Sequence, residues 1–238
     1  MEHLILLHGA IGSKQQFASL QTLLSAHYHV HTFNFYGHGG DDFADQPFSI
    51  PLFAEQVINY IESIDLQRVH IFGYSMGGYV ALYIAKHHPS MVQKIITLGT
   101  KFYWDTHIAF KEAQQLQPTI IEQKIPAFAK VLQERHTTHQ WSNVLNQTAD
   151  MLIAMGENNH LHEDDYASIT SPVCVMLGDR DKMVTLQETL NVYTKLPNAQ
   201  MAMLPNTPHI IEQVNMGLLC YMIHHFIDTD KTKKPTLS

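Results

Sequence analysis

Apolar positions along the first hundred residues switch between two periods. Leu4–Leu7 is a continuous apolar run closed by His8-Gly9, the pattern of a strand buried on both faces of a parallel sheet. Phe17, Leu20 and Leu24 then recur at helical spacing, behind a Ser13/Gln16 pair that reads as a capping box. His29–Phe35 alternates and carries Val, Thr and Phe, which predicts a second strand. Tyr36–Asp42 is a glycine-rich loop. Ser49 and Pro51 announce a helix with Phe53, Val57, Ile58 and Ile61 on one face. Val69–Phe72 predicts a third strand, Met76–His88 the helix after it, and Ile95–Leu98 a fourth strand.

The alternation then stops. From Lys101 to about Ser171 the pattern is helical, punctuated by Pro118 and Pro126, with a longer helix over Trp141–Met155. Strand and helix return with Val173–Leu177, a helix from the Thr185/Glu188 capping box to Leu196, a strand over Gln200–Leu204 and a helix over Ile210–Ile227. Strands that alternate with helices predict an α/β fold, a mostly parallel sheet of about six strands with helices on both faces. The helical stretch after the fourth strand reads as an inserted cap. The expected division is a core over 1–100 and 171–228, a helical cap over 101–170 and a flexible tail over 229–238.

Composition narrows the class. The chain has 238 residues, 45% hydrophobic and 16% charged, and a net charge of −7, which argues against a nucleic-acid surface. Cys174 and Cys220 both sit in apolar runs and read as buried thiols, so no disulfide framework is expected. No apolar stretch approaches membrane-spanning length, and the start of the chain lacks the basic and long apolar regions of a signal peptide. A cytoplasmic protein without membrane or nucleic-acid partners is expected, as a monomer or homodimer.

Chemistry gathers where strands end, and in open α/β sheets ligands bind beyond the carboxyl ends of the strands. After Leu7 comes His8-Gly9-Ala10-Ile11-Gly12; after Phe72 comes Gly73-Tyr74-Ser75-Met76-Gly77; after Leu177 comes Gly178-Asp179-Arg180-Asp181; after Leu204 comes Pro205-Asn206-Thr207-Pro208-His209. The order is Ser, Asp, His. Gly73 and Gly77 let a strand and a helix close around a strained Ser75. A serine hydroxyl needs a base, a histidine suits neutral pH, and a carboxylate fixes that histidine's tautomer. The amide of Met76 and one from the Gly9–Ile11 loop can bind a developing oxyanion.

These segments, HGAIGS, FNFYGHG, GYSMGG, LGDRDKMV and TPHIIEQVN, resemble the α/β-hydrolase family with a helical cap, over nearly the whole chain. The resemblance implies the acid three residues after the glycine of the Gly-x-x-Asp turn, Asp181 rather than Asp179. It implies His209 as base and Ala10, after His-Gly, as the first oxyanion donor beside Met76. Asn34 stands where such proteins often carry Asp. The two strands that usually precede the His-Gly strand are expected to be absent, which leaves six strands.

Ser75, Asp181 and His209 are the expected catalytic residues. Tyr74 of the serine motif is an expected substrate contact, and so are Phe102, Trp104, Phe128 and Trp141, drawn from a set of cap aromatics and methionines of which most should be cap core. Of the 17 histidines, His87-His88, His136/His139, His160/His162 and His224-His225 have some metal-like spacing, but no cysteine cluster or HExxH accompanies them; they read as solvated or helix-terminal. No metal and no cofactor is expected. The expected function is hydrolysis of small, largely apolar carboxylic esters through an acyl-enzyme. A C–C or proton-transfer lyase similar to menaquinone-pathway synthases is the alternative on the same triad, although such enzymes grip polyanionic substrates with arginines and this chain has only Arg68, Arg135 and Arg180. A non-enzymatic small-molecule receptor is the third reading.

Overall fold

A computed structural model describes residues 1–229; apart from Thr229, the expected tail lies outside the described residues. In chain order the elements are β1 (Glu2–Leu7), a 3-10 turn at Lys14–Phe17, α1 (Ala18–Leu24), β2 (Tyr28–Thr32), α2 (Ile50–Ser63), β3 (Val69–Tyr74), α3 (Met76–His87) and β4 (Val92–Leu98). Five helices follow: α4 (Thr106–Gln115), α5 (Pro118–Lys124), α6 (Pro126–His136), α7 (Trp141–Glu157) and α8 (Glu163–Ser168). The chain closes with β5 (Val173–Gly178), α9 (Leu186–Lys195), β6 (Ala199–Leu204) and α10 (Met216–Asp228).

The six strands form one parallel sheet in the order β2-β1-β3-β4-β5-β6. The chain runs outward from β1 to β2, returns past β1 to β3, and then runs to the far edge. The direction therefore switches between β1 and β3, where the loops after two adjacent strands diverge and leave a crevice. The Gly9–Gly12 loop and Ser75 stand at those two strand ends.

The continuous apolar strands are explained by burial on both faces. Ile5, Leu7, Ile71 and Val175 pack with α2, α3 and α9 residues such as Phe53, Val80 and Val192. Leu4, Leu6, Phe72 and Met176 pack on the other face with Leu20, Leu24, Leu219, Ile223 and Phe226 of α1 and α10. Each fully buried side chain of this kind stabilises the fold by about 1.5–3 kcal/mol. The cap has a small core of its own around Ile121, Ala129, Leu132, Trp141 and Leu145. Val144, Met151 and Met155 of α7 belong to the main core, so the helices between β4 and β5 are packed continuously onto the sheet domain.

Two of the boundaries that differ from the pattern have a visible cause. β2 ends at Thr32, not at Phe35, because the amide of Phe35 leaves the ladder and donates to His8 Nε2 at 3.1 Å. The last helical stretch is divided: a 3-10 turn at Ile211–Gln213 precedes α10, which starts only after Asn215, whose side chain accepts the amide of Leu218. Cys174 is buried and Cys220 half-buried, both free, and burial pushes the Cys174 thiol up to about 12. Among the described residues no helix is long and apolar enough to cross a membrane.

Candidate active site

Ser75 lies between β3 and α3 with φ 51° and ψ −119°, a left-handed conformation that costs a non-glycine residue about 1–3 kcal/mol. The surroundings hold it there. Its amide donates to Leu98 O at 2.9 Å, and its carbonyl accepts from Gly78 N and Thr100 Oγ1, both at 3.0 Å. The glycines are required by close approach. A Cβ on Gly77 would fall 2.2 Å from the carbonyl oxygen of Leu7, and one on Gly73 would fall 2.4 Å from the backbone of Gly77.

The candidate acid and the candidate base meet across the ends of β5 and β6. His209 Nδ1 donates to Asp181 Oδ2 at 2.8 Å, while Asp181 Oδ1 accepts the amides of Met183 and Val184 at 2.8 and 2.9 Å. The Asp181 side chain is 2% exposed. Burial alone would raise its pKa, but the hydrogen bond and charge of His209 and the two amides outweigh burial and hold the carboxyl below its ordinary value. Asp179 does not share this role. Its Oδ1 accepts the amide of Thr207 at 2.9 Å, which ties the β5 loop to the His209 loop.

Backbone contacts link this pair to the serine. Gly99 has φ +59°, and a Cβ there would lie 3.1 Å from Asp181 Oδ2 and 3.3 Å from His209 Nδ1. Its neighbour Leu98 carries the carbonyl that holds Ser75. A Cβ on Gly9 would lie 3.1 Å from Ser75 Cβ, so the loop that carries Ala10 passes directly beside the serine on its other side. That loop is a tight turn, with Gly12 N donating to Gly9 O at 3.0 Å and Ile11 at φ 50°.

The five expected substrate contacts fall in three places. Tyr74 is buried, faces α1 and α10, and donates its hydroxyl to His209 O at 2.8 Å, so it holds the histidine's backbone. Phe102 and Trp104 line a cavity of about 700 Å³ between the start of the cap and α9, and neither Ser75, Asp181 nor His209 lines it. Trp141 is 5% exposed in the core of the cap, with Phe128 packed against it.

One histidine read as solvated or helix-terminal, His136 at the end of α6, is buried. His136 is 1% exposed; its Nε2 is 2.8 Å from Ile11 O and its Nδ1 accepts the amide of Gly39 at 2.9 Å. Burial holds its pKa down at about 4. His8 Nδ1 donates to Gly9 O at 2.8 Å and its Nε2 accepts from Phe35, so both ring nitrogens are spent on structure. Burial takes its pKa down to about 3. The ring of His38 stands between those of His8 and His136, 5.1 and 5.6 Å away, which places the Tyr36–Gly40 loop against the site. Asn34 Oδ1 accepts the amide of Lys14 at 2.8 Å, an anchor for the turn after the Gly9–Gly12 loop. Among the described residues, no three His, Cys, Asp or Glu side chains are grouped as a metal ion would need.

Comparison with known proteins agrees with this fold. The model of the alpha/beta hydrolase fold family matches residues 2–148, and the chain belongs to that family. A protein of Mycoplasma pneumoniae named "Putative esterase/lipase 3" is 24% identical over 212 residues, 83% of this chain and 77% of that protein. The (E)-2-((N-methylformamido)methylene)succinate hydrolase of Acinetobacter baylyi is 21% identical over 93% of this chain and 90% of its own length. The chain spans 64% of one longer relative. Among solved structures, the enol-lactonase from Burkholderia xenovorans superposes with a TM-score of 0.78 at 15% identity, over 95% of this chain and 89% of that one, a likeness of fold alone.

Proposed function

We propose that the protein is a serine hydrolase of small, largely apolar carboxylic esters. The observation that carries this reading is the 2.8 Å bond from His209 Nδ1 to the buried carboxylate of Asp181; Ser75, held at positive φ, is tied to Leu98, whose neighbour Gly99 packs against that pair. In this reading Asp181 fixes the proton of His209 on Nδ1 and leaves Nε2 free to act as base. His209 takes the Ser75 proton as Oγ attacks the ester carbonyl. The oxyanion of the tetrahedral intermediate is bound by the amides of Ala10 and Met76, and a single donor of this kind is worth about 10²–10³ in rate. Collapse of the intermediate breaks the C–O bond, and His209 protonates the departing alkoxide. Water, deprotonated by His209, then attacks the acyl-enzyme; the acyl C–Oγ bond breaks, His209 returns the proton to Ser75 Oγ, and the acid is released.

The arginines argue against a polyanionic substrate and therefore against the lyase reading. Arg135 is spent on Ile11 O and Glu212, Arg68 donates to Val92 O, and Arg180 is exposed beside Asp179. The names of the relatives, an esterase/lipase and a hydrolase, support the hydrolytic class. The test is a fluorophosphonate probe with p-nitrophenyl esters. Wild type should label at Ser75 and turn over, and Ser75→Ala should lose labelling and on the order of 10³-fold or more in kcat/KM. Equal turnover in Ser75→Ala would end this reading.

A further inference from the structure

The cap touches the candidate oxyanion loop through one carbonyl group. Ile11 O accepts two hydrogen bonds from consecutive residues at the end of α6, from Arg135 Nη1 at 3.0 Å and from His136 Nε2 at 2.8 Å. Two donors fill both lone pairs of that oxygen. The histidine's role is fixed by its other nitrogen: Nδ1 accepts the amide of Gly39, so the ring proton sits on Nε2 and points to Ile11. Arg135 is a bridge. Its Nη2 pairs with Glu212 Oε1 at 2.8 Å, and the same carboxylate oxygen accepts from Gln16 Nε2 at 2.9 Å. Glu212 lies three residues after His209. Neither group is a loose surface contact, since the Arg135 side chain is 13% exposed and His136 1%.

From this geometry we infer that Arg135 and His136 are positioning residues for the hydrolytic reaction, by which α6 of the cap holds the oxyanion loop and couples it to the His209 loop. The inference rests on the serine-hydrolase reading above. Ile11 is held at positive φ, a conformation that relaxes unless its surroundings over-determine it. Its carbonyl is the handle. Clamping it sets the direction of the preceding turn and thus of the Ala10 amide beside Ser75. Through Glu212, the same guanidinium sets the distance between that amide and the base. The consequence is specific: the loss should appear in the chemical step and leave substrate capture largely unchanged.

Two substitutions of one residue separate positioning from mere cap attachment. His136→Gln places an amide donor where Nε2 stood, within reach of Ile11. His136→Asn reproduces only the Nδ1 position and its bond to Gly39. With short p-nitrophenyl esters, His136→Gln should keep kcat within about threefold of wild type, while His136→Asn loses roughly tenfold or more in kcat with KM changed less than twofold. Arg135→Met carries the same test at the second donor, with the same split, and decides the matter should His136→Asn not fold. The rate of fluorophosphonate labelling should fall in parallel, since it also needs the oxyanion site. Equal kcat in His136→Gln, His136→Asn and Arg135→Met, or a loss confined to KM, would overturn the inference. Ser75→Ala is run alongside: if it retains turnover, the hydrolase reading itself has failed, whereas a dead Ser75→Ala with unimpaired clamp variants refutes only the clamp.

Discussion

Asp181 and His209, 28 residues apart in sequence, are joined by a 2.8 Å hydrogen bond that uses one oxygen of the carboxylate, while two backbone amides use the other. The carboxylate is therefore immobile before any substrate arrives. Asp181→Asn would keep the shape and destroy the function of this contact. Its amide N–H faces Nδ1, which favours the proton on Nε2, the wrong tautomer for a base. We expect kcat to fall on the order of 10³–10⁴ with the thermal midpoint nearly unchanged.

Asp179 supplies the control. It lies two residues away and bonds the Thr207 amide, with no contact to the imidazole. Asp179→Asn should retain most activity, at least a hundredfold more than Asp181→Asn in the same assay. Comparable losses in the two variants would mean that the loop as a whole, and not the Asp181 carboxylate, orients His209.

The strand core, the six-strand count and the cluster of chemistry at strand ends were legible because each rests on local pattern. Continuous apolar runs such as Leu4–Leu7 require two-sided burial, and Gly73-Tyr74-Ser75-Met76-Gly77 requires a sharp corner. What was not legible depends on distant partners. Tyr74 sits in the motif, yet strand alternation turns it to the α1 and α10 face, where it binds His209 O. Applying the period of two to that residue would have placed it away from the cap. The bond of Arg135 and His136 to Ile11 gave no signal, because their partner is a backbone carbonyl 124 and 125 residues away. Their spacing resembled any solvated helix end.

The corner itself makes a steric prediction. With a would-be Cβ 2.2 Å from the Leu7 carbonyl, Gly77→Ala must push α3 away from β1. Overpacking of this kind costs about 1–3 kcal/mol or more. Ser75→Ala removes only a hydroxyl and should be close to neutral in stability. Chemical denaturation of the two variants should show Gly77→Ala unfolding at clearly lower urea. Equal midpoints would show that the elbow is more plastic than its contacts imply.

Substrate length tests the role of the cap. Apolar walls discriminate by about 1–3 kcal/mol per methylene, so acyl preference should be broad. A p-nitrophenyl series should peak at short to medium acyl chains and be unaffected by chelator. A maximum at the longest chain, or loss with chelator, would replace this substrate picture while leaving the triad reading intact.

The buried histidines make the fold acid-sensitive. His8 and His136 are neutral in the native state because burial, the largest effect, disfavours their charged forms; nearby Arg135 adds to this at both, and the hydrogen bonds they donate to the carbonyls of Gly9 and Ile11 only partly oppose it. His38, between them, is lowered in the same way, with His8, His136 and Arg135 all facing it. The sign follows from proton counting. Unfolded histidines titrate near 6.5, while folded His136 and His8 wait until about 4 and about 3. Between these values the unfolded chain binds more protons, so the stabilisation is fully present above about pH 6.5 and is lost as pH falls. Each group should withdraw on the order of 1–2 kcal/mol by pH 5. Urea unfolding between pH 8 and 4.5 should therefore show stability falling steadily below about 6.5. His136→Gln, which cannot titrate, should shallow that slope by up to one proton, whatever the loss of the Gly39 bond costs at every pH. A stability independent of pH from 7.5 to 5, or an unchanged slope in His136→Gln, would show that His136 is not held neutral by its burial under the cap.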